Sequence, residues 1–123
     1  LIVLERDADV TEFTDAGVVV DSVFTKELLT SIFLPVSPIH DGAVVIRKGR
    51  IFLASCFLPL SLSAATHKSM GTRHRAALGL SEETDAICVI VSEENGSVSI
   101  SSQGKMIHQL DSGQLRKALL EYL

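Results

Sequence analysis

Cysteine is scarce in this chain. There are two in 123 residues, Cys56 and Cys88, and neither belongs to a closely spaced pair of the kind that binds zinc or does redox work. Both sit inside apolar runs, Leu53-Ala54-Ser55-Cys56-Phe57 and Ala86-Ile87-Cys88-Val89-Ile90, where a thiol behaves as a small buried hydrophobe. Two free buried thiols are expected, with no disulfide framework. Long apolar runs are absent too. A membrane-spanning helix needs about 20 consecutive apolar residues, and no run here approaches that length. The start of the chain carries no signal-peptide pattern. Basic excess is missing: 11 Lys and Arg against 15 Asp and Glu leave a net charge of −4. Long nucleic acid usually needs a basic surface, so no nucleic-acid partner is expected, whereas a small phosphate ligand needs only a local cluster of donors. Internal repeats, low-complexity segments and linkers are also lacking. No Gly-x-x-x-x-Gly-Lys occurs, which excludes a P-loop, and no Gly-x-Ser-x-Gly, which excludes a nucleophile elbow.

What is present fits one domain over residues 1–123, with 46% hydrophobic residues, enough to bury a core. Leu1 to Leu4 read as a buried strand and Gly17 to Val20 as a second, rich in β-branched residues. Thr25 is the expected N-cap of a helix reaching Leu34, with Leu28, Leu29, Ile32 and Phe33 on one face. Pro35 and Pro38 then end it and open a loop. Ala43 to Arg47 and Arg50 to Leu58 form a hairpin about Lys48-Gly49, closed by Pro59. Ser61 to Met70 suggest a short helix, and Thr72 begins a helix over Arg73 to Leu80. Ala86 to Val91 is a strongly apolar strand. Asn95-Gly96 is a hairpin turn into Val98 to Ile100, and a further strand is expected near Met106-Ile107. Asp111 or Ser112 caps a last helix whose Leu115, Leu119 and Leu120 are expected to pack inward. The class expected is α/β or α+β, a mixed parallel and antiparallel sheet flanked by helices. The chain opens inside a strand without an initiator Met, and an excised, soluble domain of a longer protein is expected.

Two short motifs carry chemistry. In His40-Asp41-Gly42-Ala43, Asp41 stands at a loop-to-strand junction, a usual place for working residues. Gly42 and Ala43 let a ligand approach the backbone. The carboxylate can orient or deprotonate a hydroxyl or hold a divalent cation, and His40 offers an imidazole. Asp-Gly is equally a common turn pair, so this motif alone leaves both readings open. In Gly71-Thr72-Arg73-His74-Arg75, a helix N-terminus presents free N–H groups and its dipole to an anion. Gly71 admits a phosphate, and two arginines stand where the dipole disfavours cations. A solvated basic turn with a Thr cap would show the same residues. A third element, Ser92-Glu93-Glu94, follows an apolar strand, and its carboxylates either are solvated or complete a metal site. Together these are the groups that phosphoryl or nucleotidyl transfer uses, where positioning and charge neutralisation dominate.

As a pair in this order, Asp41-Gly42-Ala43 and Gly71-Thr72-Arg73-His74-Arg75-Ala76-Ala77 resemble the hallmarks of the diadenylate cyclase (DAC) domain family. Pro38-Ile39-His40-Asp41-Gly42-Ala43-Val44 and Cys56-Phe57-Leu58-Pro59-Leu60-Ser61 are similar to its membrane-anchored bacterial subgroup, and the likeness extends over essentially the whole chain. The resemblance implies a nucleotidyltransferase that condenses two ATP into cyclic di-AMP and two pyrophosphates. It implies Asp41 beside the ribose 3′-hydroxyl, with Arg73, His74 and Arg75 supporting the triphosphate as catalytic groups. Gly42, Ala43, Gly71, Thr72 and Ser92 would bind ATP, with Leu58 reading adenine through its backbone and Phe57 stacking on it. Many relatives carry Tyr where this chain has Phe57, and Phe57 keeps the stacking but lacks the hydroxyl and any hydrogen bond from it. His40 and Glu94 would hold a divalent metal, Mn²⁺, Mg²⁺ or Co²⁺. The resemblance further implies a homodimer with two domains face to face, and an upstream anchor placing the domain at the cytoplasmic side of the bacterial membrane. A regulator with YbbR domains and phosphoglucosamine mutase are the partners it implies. Two other readings use the same residues, a non-catalytic nucleotide sensor and a metal-dependent phosphoesterase.

Overall fold

In the strand Ile2–Leu4 (β1), neighbouring side chains face opposite ways, and both directions are apolar. The same holds for Ala43–Arg47 (β3) and Ile87–Val91 (β5), so these strands need cover on both faces of a sheet. The structure, a computed structural model, describes residues 1–15, 17–58 and 71–122. Among them, four further strands complete one seven-stranded sheet: Val18–Val23 (β2), Arg50–Cys56 (β4), Val98–Ser102 (β6) and Lys105–Leu110 (β7). The order is β2-β4-β3-β1-β5-β6-β7. β1 runs parallel to β3 and antiparallel to β5, and the other pairings are antiparallel. The expected mixed sheet flanked by helices is therefore what forms.

One face packs on the helix Thr72–Glu83 (α2), where Ala77 and Leu80 meet Val3, Val45, Cys88 and Ile90. On the other face, Ile32 of the helix Lys26–Ile32 (α1) packs with Val44, Ile46 and Ile51. Leu115 and Leu119 of the helix Ser112–Tyr122 (α3) cover Ile87, Val89 and Ile100. Alternate residues of one strand thus feed opposite cores. Burying each such aliphatic side chain contributes about 1.5–3 kcal/mol. Cys56 and Cys88 are buried and unpaired, as expected.

Local details follow the residues. The Thr25 hydroxyl accepts from the Leu28 N–H at 3.0 Å and caps α1, which ends at Ile32 rather than Leu34. Lys48 and Gly49 both have positive φ, 51° and 73°, the geometry of a tight hairpin turn that matches strand twist. β2 runs to Val23, past the expected end at Val20. β4 ends at Cys56 rather than Leu58. A 3₁₀ turn at Val10–Phe13, capped by Asp9, was not anticipated. Leu120 is 71% exposed, which corrects the expectation that it packs inward: it follows Leu119 by about 100° around the helix, and Leu119 takes the core position. Asp111 caps α3, accepting from the Gln114 N–H at 2.8 Å while Gln114 accepts from the Asp111 N–H at 2.9 Å. Pro59 and the expected short helix over Ser61 to Met70 lie outside the described residues. No described helix is long and apolar enough to cross a membrane.

Candidate active site at one edge of the sheet

The topology gathers the motif residues at one edge. β1 and β3 are parallel, with Ile2 opposite Val44, so both begin there. β5 is antiparallel to β1, with Ile2 opposite Val89, so β5 ends there. β4 is antiparallel to β3, with Cys56 opposite Ala43, so it ends there as well. α2 is joined to β5 by a short connection and packs against it, which brings the helix N-terminus to the same edge. The loop before β3, the start of α2 and the segment after β5 therefore meet.

A cleft of about 540 Å³ opens between them, lined by Asp41, Gly71, Thr72, Arg73, His74, Val91, Ser92, Glu93, Glu94 and His108. Of the residues expected at a site, Asp41, Gly71, Thr72, Arg73, His74, Ser92 and Glu94 line it together. His40, Gly42, Ala43, Phe57, Leu58 and Arg75 do not. Gly42 and Ala43 instead shape the loop. Gly42 has a φ of +88°, and a Cβ there would stand 2.7 Å from the Cys56 carbonyl oxygen. Its N–H donates to the Asp41 carboxylate at 3.0 Å. His40 is exposed, with Nδ1 2.8 Å from the Ser37 carbonyl oxygen. Phe57 is half-exposed, paired through its backbone with Asp15 beside the end of β4, and Leu58 packs against the core.

Gly71, not Thr72, is the N-cap of α2, and among the described residues no side chain caps the helix. This corrects the expected Thr72 cap. Thr72 is the first helical residue, and the first backbone bond runs from the Arg75 N–H to the Gly71 carbonyl at 3.0 Å. The first turn holds no acidic residue, so its dipole and N–H groups favour an anion at this end. Arg73 reaches across the cleft to Glu93 at 2.7 Å. The Arg75 Nε is buried with no hydrogen-bond partner among the described residues, although a guanidinium carries five donors. Burial, and then repulsion from His108, push His74 below the ordinary histidine range. The two rings lie 6.2 Å apart between centroids, tilted by 32°. Opposite them, the Ser92 hydroxyl accepts from the Glu94 N–H at 3.3 Å, and the turn after it is tied by the Gly96 N–H to the Ser92 carbonyl at 3.0 Å.

Glu93 and His108 were not among the expected site residues. Glu93 sat inside the singled-out Ser92-Glu93-Glu94 and is marked only by its reach to Arg73. His108 comes from β7, and only strand pairing brings it here. For a metal, no group of three His, Cys, Asp or Glu side chains converges among the described residues. Cations that travel with nucleotides are held by one or two carboxylates together with phosphate oxygens. Asp41 and Glu94 on the cleft fit that arrangement.

Comparison with known proteins extends this picture. Residues 1–106 match the DAC family, described as DisA bacterial checkpoint controller nucleotide-binding. The cyclic di-AMP synthase CdaA of Bacillus subtilis is 42% identical over 119 residues, 97% of this chain and 44% of that protein. A diadenylate cyclase of Listeria monocytogenes is 42% identical over 123 residues, 100% of this chain and 45% of its own length. The chain thus spans less than half the length of these curated relatives. A crystal structure of a DacA double mutant from Staphylococcus aureus superposes with a TM-score of 0.91 at 41% identity, covering 98% of this chain and 81% of that one.

Proposed function

The chain belongs to the DAC family of nucleotide-binding domains, and on that premise we propose that it is a diadenylate cyclase, condensing two ATP into cyclic di-AMP with release of two pyrophosphates. One observation carries the reading: Asp41 and the uncapped, arginine-bearing start of α2 line the same cleft. A hydroxyl to be activated and a phosphate to be attacked both find their partners there.

In this reaction the ribose 3′-hydroxyl of one ATP attacks the α-phosphorus of the other. A phosphorus–oxygen bond forms, the α–β bridge breaks, pyrophosphate leaves, and the hydroxyl proton departs toward a base. Asp41 is the carboxylate positioned to orient that hydroxyl and accept its proton. The first-turn N–H groups of α2 and the hydroxyls of Thr72 and Ser92 hold phosphate oxygens. Arg73, freed from Glu93 by the incoming triphosphate, meets those oxygens in bidentate fashion. His74 adds a donor beside it, and Arg75 supports the phosphate end of α2 from behind. Gly42 and Ala43 bring the backbone close to the nucleotide. Phe57 and Leu58 follow the end of β4 on the Asp41 side of the edge, where Phe57 stacks on adenine and the Leu58 backbone reads it. A divalent cation, Mn²⁺, Mg²⁺ or Co²⁺, would be held by Glu94 and Asp41 with phosphate oxygens, joined by His40 once its ring turns from the Ser37 carbonyl, and would supply charge neutralisation there.

Incubation with ATP and Mn²⁺, resolved by mass spectrometry, tests the assignment. Cyclic di-AMP and pyrophosphate from the parent are expected. Asp41→Asn should bind ATP but lose at least about 100-fold in rate, the usual contribution of a positioned acid or base. ADP, AMP or phosphate as products would instead indicate an esterase, and ATP binding without turnover a sensor. The product joins two nucleotides by two bonds, so two domains, each holding one ATP, must face each other, and a C2 pair satisfies this. Specific activity should therefore fall on dilution, and activity strictly proportional to enzyme concentration far below the dimerisation constant would sink the pairing.

A further inference from the structure

The motifs of the DAC family do not account for one wall of the cleft. His108 lines it from β7, two residues beyond the stretch that matches the family. Its position is built rather than incidental. Nδ1 lies 3.2 Å from the hydroxyl of Ser99, and Ser99 is only 1% exposed on the neighbouring strand β6. With Nδ1 engaged, Nε2 is the nitrogen left for a ligand. The ring stands 6.2 Å from that of His74, centre to centre, with the two planes tilted by 32°, so the two imidazoles share one wall of the cleft.

Charge balance says what an anion against that wall would do. The cleft lining holds one guanidinium, Arg73, against the carboxylates of Asp41, Glu93 and Glu94. Arg75 adds a second cation behind the wall, and Arg73 is already answered by Glu93 at 2.7 Å. With neutral imidazoles this is a poor place for a polyphosphate. Burial, and then repulsion from His108, hold His74 below the ordinary histidine range in the free protein, which disfavours its charged form. An anion seated against both rings reverses that preference, because a nearby opposite charge favours the protonated form.

We propose that His108 and His74 together form a proton-linked subsite for the β- and γ-phosphates of the nucleotide, the part that leaves as pyrophosphate. The naming of that leaving group rests on the cyclase reading; the anion subsite itself does not. Pyrophosphate, once released from the α-phosphate, is held here by both rings, with His74 drawing a proton as the anion seats and losing it, and its hold, as the pH rises.

Calorimetric titration of the whole chain with inorganic pyrophosphate at pH 7.5, in two buffers of different ionisation enthalpy, tests this. The parent and His108→Gln are compared, so that the ionisation of pyrophosphate itself cancels. His108 is exposed on an edge strand, and an unchanged thermal melt confirms that the variant folds. The variant should bind about tenfold more weakly, as expected for losing one hydrogen bond to a charged group, and take up fewer protons per pyrophosphate. Unchanged affinity or unchanged proton uptake overturns the subsite. ATP turnover, assayed in parallel, separates this from the cyclase reading. Proton-linked pyrophosphate binding without cyclic di-AMP would remove the cyclase and leave the subsite. Cyclic di-AMP from a parent whose pyrophosphate binding ignores His108→Gln would do the reverse.

Discussion

The loop before β3 and the start of α2 each bring a glycine to the edge of the cleft, and the two glycines sit in opposite surroundings. At Gly42 the backbone is pressed onto β4. A Cβ would meet the Cys56 carbonyl oxygen at 2.7 Å and the Ser55 carbonyl carbon at 3.1 Å, and φ is +88°. At Gly71 the nearest atom to an added Cβ among the described residues is the Nδ1 of His74, 3.7 Å away. Crowding therefore fixes the arm that carries Asp41. The arm that carries Arg73 is, among the described residues, uncrowded and arranged by charge, with no side-chain cap on its helix end and an ion pair to Glu93. A carboxylate that must orient a hydroxyl benefits from a rigid seat. A phosphate cradle benefits from donors that are free until the ligand arrives.

The sharpest way to break this contrast is at Gly42. Gly42→Val adds a side chain where backbone atoms already stand and forces a β-branched residue into positive φ. A loss of about 3 kcal/mol or more in stability is expected, read as a lowered denaturant midpoint, with activity lost alongside folding. An unchanged midpoint would mean that the loop yields easily and that its order has another source. Arg73→Ala attacks the other arm. Stability should move by no more than about 1 kcal/mol, because the lost ion pair with Glu93 is largely solvated and a cation leaves the first helical turn. The ATP KM should rise by about tenfold or more, as charge-assisted phosphate contacts are lost. A large fall in melting temperature would show that the ion pair is structural instead.

The smallest effect expected is one of pH. His74 lies below the ordinary value of 6.5 in the folded chain, so the unfolded chain takes up its proton first as the pH drops. Stability is then full above about pH 6.5 and declines below it. His74→Gln should flatten that part of the curve, and an identical slope in the variant would assign it elsewhere. Asp85 behaves in the opposite sense. The Ala8 N–H foremost, and also that of Asp7, hold its carboxyl below the usual range, so its contribution is present above about pH 4 and fades in stronger acid. His74→Gln leaves the Asp85 contacts untouched, which keeps the test on the helix arm clean.

Most of the framework was legible because local signals agreed with burial. The apolar runs at Val44 and Ile90 are continuous, which told of cover on both faces. Thr25 and Asp111 are caps in sequence and in space, and Lys48-Gly49 turns as its composition suggests. Failures came where one residue decides between two faces. Leu120 differs from Leu119 by one step along α3, and periodicity assigned both inward. β2 continues past Val20 through a register shift between Val19 and Ser22, where Asp21 has a φ of 46°. An Asp in that conformation looks like the end of a strand. In the site, Asp41, Thr72, Arg73 and Ser92 were found because chemistry and spacing coincide in short motifs. His108 carries no such mark. It joins the cleft only because β7 pairs with β6, and no local pattern encodes that pairing.

The place of β1 has a kinetic consequence. Its residues Ile2 to Leu4 join two antiparallel ribbons, β2-β4-β3 on one side and β5-β6-β7 on the other. Each ribbon closes through short connections between β3 and β4, β5 and β6, and β6 and β7, whereas β1 pairs with strands far away in sequence. Such distant contacts form late, after loop entropy has been lost. Asp41 belongs to one ribbon and Ser92, Glu93 and Glu94 to the other, so the cleft exists only after β1 has seated. During refolding, nucleotide binding should then appear with the slowest phase, later than the rise in secondary structure.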